Sequence, residues 1–243
     1  MATGWLSSRE TAGEGAVSVV VAAHGTRDPT GVAVVKQLVG ALRTRLAGRP
    51  VLLAFVDVLG PPVREVLGYA CGPVTVIPAF LSSGYHVRTD VPREVAASGR
   101  RDVTISAALG PHPRLVAAMA DRLRAAGWCR ADTVVLAAAG SSDPRALADV
   151  RAAARWLSRT LDTRVRVGFV ATGSPRIAPL VVAQRVSGAQ RVAVASWLLA
   201  PGMFHTALTS AGADIVAAPL GAHPQVVARL VQLAQRTAAS RIA

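Results

Sequence analysis

The chain has 243 residues, 51% of them hydrophobic and 4% aromatic, and carries 27 Lys plus Arg against 14 Asp plus Glu. No apolar stretch reaches the roughly 20 residues of a bilayer span, because the longest, VAVASWLLAPGMF at 192–204, is broken by Pro-Gly. Two cysteines, Cys71 and Cys129, exclude a disulfide scaffold and a single-chain iron–sulfur centre and read as free thiols.

Residues 1–16 lack the basic start and hydrophobic run of a signal peptide, so they read as a flexible N-terminal tail on a cytoplasmic, membrane-free protein. From residue 17 onward, short apolar runs alternate with helical patterns. The runs at 17–23, 51–58, 74–79 and 103–107 predict four strands, separated by helices over 31–46, 62–70 and 92–98 and followed by one over 112–126. Asp90 is placed to cap the third helix, with Pro92 in its first turn. The pattern returns with runs at 133–138, 164–170, 191–197 and 214–218. Val/Ile/Leu runs without polar alternation belong to strands covered on both faces, and helical crossovers make the sheets parallel. Arg151, Arg155 and Arg159, four apart on one helix, read as a solvated face.

SVVVAAHGTRDP at 18–29 recurs as TVVLAAAGSSDP at 133–144, and LGPHPRLVAAMADRL at 109–123 recurs as LGAHPQVVARLVQLA at 220–234. A unit of about 110 residues is one whole domain rather than a solenoid repeat. The expected architecture is therefore α/β, with two similar domains at 17–128 and 129–243. Each is a four-stranded parallel sheet flanked by helices, and the sheets face each other across a cleft.

Parallel sheets bind ligands beyond the carboxyl ends of their strands. His24 follows the first strand, Asp57 ends the second and His86 lies in the FLSSGYH loop after the third. Two imidazoles and a carboxylate on one rim suit binding a divalent metal or moving protons. The matching positions of the second domain are Ala139, Ala171 and, after a one-residue shift, His205. His112 and His223 both occur as Gly-x-His-Pro before the last helix of a domain, which assigns them a structural role. No Walker loop or complete dinucleotide fingerprint is present, and GSSDP at 140–144 has no His-acid pair placed to activate a serine.

The net charge of +13, with Lys36 the only lysine, favours an anionic partner. Nucleic acid is not that partner: base-stacking aromatics are scarce, arginine is spread along the chain and no nucleic-acid-binding motif appears.

AAHGTRDP at 22–29, AFVDVLGPPVREVL at 54–67 and PAFLSSGYHVRTDVP at 78–92 resemble the class II chelatases that act on sirohydrochlorin, in their long two-domain form. The resemblance covers the first domain almost end to end and the second more loosely. It implies ATP-independent insertion of a divalent metal into an anionic tetrapyrrole, on the route to sirohaem or cobalamin. Fe2+ is favoured over Co2+, the metal being substrate and no prosthetic group being required. By position, His24 and His86 match the family's active-site histidines, and Asp57 stands where the family commonly has glutamate, as a third metal residue. Arg27, Arg88, Ser82, Ser83, Gly84 and His205 are the expected substrate contacts. The second domain is then a degenerate copy that shapes the cleft, in a monomer or homodimer. A non-catalytic tetrapyrrole or metal carrier is the alternative.

Overall fold

The computed structural model describes residues 17–239, so the tail assigned to residues 1–16 lies outside the described residues. In the first half, β1 (Ser18–Ala23), β2 (Val51–Phe55), β3 (Val74–Pro78) and β4 (Val103–Ile105) form one sheet in the order β2-β1-β3-β4. All of its pairings are parallel. The connections are α1 (Pro29–Arg45), α2 (Val63–Tyr69), α3 (Val91–Ala97) and, after β4, α4 (Pro113–Ala125). The second half repeats the plan with β5 (Thr133–Gly140), β6 (Val165–Thr172), β7 (Val192–Trp197) and β8 (Ile215–Val216), ordered β6-β5-β7-β8. Its helices are α5 (Pro144–Leu161), α6 (Ile177–Val186), α7 (Met203–Thr209) and α8 (Pro224–Ala239).

The unbroken apolar runs follow from burial on both faces. Along β1, Val19, Val21 and Ala23 join the central core, whereas Val20 and Ala22 point the other way, into a core made with α2 and α3. In β5, Val134, Leu136 and Ala138 enter that same central core, while Val135 and Ala137 pack toward α6. The central core also holds Leu38 and Leu42 of α1, Met119 and Leu123 of α4, Leu157 of α5 and Leu230 of α8. The sheets therefore face each other through a shared layer of helices. Much of the space expected to be a cleft is filled by this shared core.

Among the boundaries that differ from expectation, three bear on the rim. β2 stops at Phe55 instead of running through Val58, because Val58 adopts a left-handed φ of 69° that no strand accommodates. β5 and β6 run further than their counterparts β1 and β2 and stay paired as far as Gly140 and Thr172. Ala139 and Ala171 consequently lie inside the strands, in a bulge between the Ala138–Phe169 and Gly140–Thr172 pairs, where the first half has loops. Among the described residues, no helix is long and apolar enough to cross a membrane.

Candidate functional site

The loop after β1 is shaped by its repeat. The Asp28 carboxylate accepts the Thr30 N–H at 2.8 Å and caps α1, and the Thr26 hydroxyl accepts the Asp28 N–H at 3.1 Å. In the second half Asp143 accepts from Arg145 at 2.8 Å and Ser141 from Asp143 at 3.0 Å. Hydroxyl, Asp and Pro are thus common to both copies because they start a helix. His24 and Arg27, which become Ala139 and Ser142, take no part in capping and are both exposed. Gly25 has φ 90°, and a Cβ there would overlap the Asp57 carbonyl oxygen, so only glycine lets the two loops approach.

His86 opens a five-residue π-helical turn, His86–Asp90, that runs directly into α3. Asp90 does not cap α3 as expected, because the backbone is already helical on its N-terminal side and no cap acceptor is required. Its buried carboxylate receives His86 Nδ1 at 2.7 Å through Oδ2 and Arg93 at 2.8 Å through Oδ1. A carboxylate at Nδ1 holds the proton on that nitrogen, leaving the Nε2 lone pair free. His24 Nδ1 lies 3.1 Å from the Gly25 carbonyl, which acts on its ring in the same way. The two rings meet edge to face, with centroids 4.6 Å apart and planes at 88°. Phe80 stacks on His86 at 5.9 Å.

The structure brings the two imidazoles together, with Asp57 on the neighbouring loop after β2. Asp57 is exposed, its carboxylate accepts the Val58 N–H at 2.7 Å, and its own N–H donates to the His24 carbonyl at 3.2 Å. No group of three or more His, Cys, Asp or Glu side chains placed to hold an ion occurs among the described residues. Asp57 therefore braces the His24 loop by its backbone, since the short acid folds back on its own turn. Arg27 and Arg88 are exposed near their histidines. Ser82 and Ser83 reach toward the second half: the Ser83 N–H donates to Asp149 Oδ2 at 2.8 Å, and Trp197 Nε1 lies 3.5 Å from Ser82 Oγ. Gly84 lies opposite Ala146 and Ser141 of that half. His205, on α7, has Nε2 3.3 Å from the Ala217 carbonyl beyond β8.

Sequence reasoning passed over Asp90 as a partner of His86, although the i, i+4 spacing was visible. It also passed over an apolar rim: Val58, Tyr85, Met203 and Phe204 are exposed in the segments following β2, β3 and β7. The histidines read as structural are so placed. His112 Nδ1 accepts the Arg114 N–H at 3.2 Å and His223 Nδ1 the Gln225 N–H at 3.3 Å, each at a helix start. Burial, then nearby arginines, holds both below the usual imidazole pKa, although Asp121 partly counteracts this at His223. Away from the pair, Arg151, Arg155 and Arg159 line an open depression of about 490 Å³ floored by Val165 and Val167.

Two doubly wound domains joined by one helical layer, with a histidine pair on the rim of only one of them, define a two-domain chelatase-like α/β protein. The chain belongs to the CbiX family, whose model matches residues 18–126 and 133–237. Among solved structures, it is similar to SirB from Bacillus subtilis with Fe3+ at 19% identity and a TM-score of 0.78, over 93% of this chain and 97% of that one. SirB from Bacillus subtilis subspecies spizizenii in complex with cobalt matches at 18% identity and a TM-score of 0.73, over 91% and 95%. CbiX, described as the terminal enzyme for biosynthesis of siroheme in denitrifying bacteria, matches at 24% identity and a TM-score of 0.67, over 90% and 98%. At these identities the likeness establishes the fold. Among curated proteins none matches.

Proposed function

We propose that this protein inserts a divalent metal into sirohydrochlorin without ATP, acting on Fe2+ in preference to Co2+. The observation that carries the reading is the perpendicular His24–His86 pair, with ring centroids 4.6 Å apart and an oxygen acceptor at each Nδ1. Membership of the CbiX family and the Fe3+ and cobalt named for the SirB structures support it.

Insertion exchanges M2+ for two pyrrole protons, so the enzyme must deliver one and remove the other. His24 and His86 do both in turn. Their Nε2 lone pairs hold the incoming ion and then, as the ring nitrogens take it over, accept the released protons. Two imidazoles leave coordination positions open to the macrocycle, whereas a closed four-ligand cage would retain the metal. Asp57 contributes a charge that draws the cation to the rim and, through its backbone, supports the loop of His24. Arg27 and Arg88 pair with the carboxylates of the substrate, the Ser82–Gly84 loop lines its edge, and the apolar rim covers its face. His205 borders the same rim from the second domain. Residues 17–128 form the catalytic domain and 129–243 the degenerate copy.

The test is anaerobic incubation with sirohydrochlorin and Fe2+ or Co2+, followed by absorbance, for wild type and His24→Ala. Turnover by the wild type alone establishes the chelatase and ranks its metals. Tight pigment binding without acceleration makes the protein a carrier instead, and an active His24→Ala variant removes that residue from the mechanism.

A further inference from the structure

The second domain has lost the position of His24, yet it grips both loops that carry the histidines of the first. The Asp149 carboxylate, on α5, accepts the backbone N–H of Ser83 at 2.8 Å, three residues before His86. Trp197, the last residue of β7, brings its indole N–H to Ser82 Oγ at 3.5 Å. On the other loop, the Pro201 carbonyl lies so close to Gly31 in α1 that a Cβ there would collide with both that oxygen and Thr26 Cγ2. A Cβ on Gly202 would lie 3.1 Å from Thr26 Oγ1. Each imidazole is thus carried on a short segment braced from across the domain boundary.

Asp149 is the charged member of this clasp. It is a partly buried acid in a strongly cationic protein, and among the contacts described it faces a main-chain amide rather than a guanidinium. A charge-assisted bond to a loop amide fixes backbone position more firmly than a neutral one. Its nearest consequence is the approach of the His86 loop to the His24 loop, on which the spacing of the rings depends.

We infer that Asp149 is a positioning residue for metal insertion: by holding the Ser83 amide it sets the place of His86 opposite His24, and the degenerate domain is kept as the frame for that pair. The inference rests on the chelatase reading for its kinetic consequence, but not for its structural one.

The test compares Asp149→Ala, Asp149→Asn and wild type in two measurements. In the first, amide hydrogen exchange of the Ser82–His86 loop is followed without substrate. Asp149→Ala is expected to raise exchange at Ser83 while protection of β1 and β5 is unchanged; unaltered exchange at Ser83 overturns the inference whatever the activity. In the second, insertion of Co2+ into sirohydrochlorin is measured well below the melting temperature. Asp149→Ala is expected to lower kcat by roughly 10-fold or more, up to the 100-fold that a misplacement near 1 Å can cost, with KM for sirohydrochlorin within about threefold. Asp149→Asn, whose amide oxygen still accepts the Ser83 N–H, is expected to recover at least a third of the wild-type kcat. A kcat equal to wild type in Asp149→Ala, or an Asp149→Asn variant no better than it, overturns the inference. An inactive wild type defeats the chelatase reading alone, because the exchange result stands independently.

Discussion

Removing the carboxylate behind His86 is expected to separate activity from stability. Asp90 has 10% of its side chain exposed and bonds an imidazole that is 35% exposed and a guanidinium that is 65% exposed. A hydrogen bond to a charged group contributes about 1.5–3 kcal/mol. The exposed arginine adds less than about 1 kcal/mol because water screens it. Part of this sum is offset, since alanine no longer buries a charge. Asp90→Ala should therefore lower unfolding free energy by about 1–3 kcal/mol, measured by urea titration. Insertion by the folded variant should fall about 10- to 100-fold, as is usual when the partner behind a metal-binding histidine is lost. Asp90→Asn sharpens the argument. If its single oxygen stays with Arg93, its NH2 faces His86 Nδ1, drives the proton to Nε2 and removes the lone pair that binds metal. That variant should be nearly as inactive as Asp90→Ala while remaining closer to wild type in stability. Wild-type turnover and Co2+ affinity in Asp90→Asn would refute the assignment of the His86 tautomer.

Gly25→Ala and Gly48→Ala share positive φ values of 90° and 83°, but only the first places a Cβ against backbone, whereas the second meets nothing within 4 Å. Backbone strain alone is worth about 1–3 kcal/mol, so Gly25→Ala should destabilise by more than Gly48→Ala in urea and should also impair insertion. Equal effects would show that the Asp57 contact is immaterial. His112 and His223 titrate below their unfolded value near 6.5. The unfolded chain therefore binds more protons in that window, and the stability they contribute is complete above about pH 6.5 and lost as pH falls through their folded-state values. Urea midpoints should drop between pH 7.5 and 5.5, and Asn at both positions, which also caps helices, should flatten the slope; an unchanged slope refutes this.

The strands and their parallel order were legible because burial on both faces leaves an unmistakable run, as in β1. The division of labour within HGTRDP was legible too, because its second copy keeps Asp143 and Ser141 as caps and discards the histidine. What escaped were features decided by backbone path or by distance along the chain. The apolar run continues to Val58, so the sequence could not show that β2 ends at Phe55 or that the left-handed φ of Val58 turns the Asp57 carboxylate onto the Val58 N–H. Asp90 before Val-Pro imitates a helix cap, and only the π-helical turn shows why a cap is superfluous. Asp149 and Trp197 lie 66 and 115 residues from their partners in the histidine loop, beyond the reach of any local pattern.

The common helical layer has a genetic consequence. When two identical chains associate about a twofold axis, every codon change appears on both sides, and an alanine at the first histidine would silence both rims at once. Tandem linkage breaks that constraint. The copy that carries Ala139 and the longer ladder to Gly140 and Thr172 can differ from its twin in this way while still lending its apolar residues to the joint core. A truncation that deletes this copy would therefore take away Leu157, Leu230 and the other apolar residues that complete the central core shared with the histidine-bearing half.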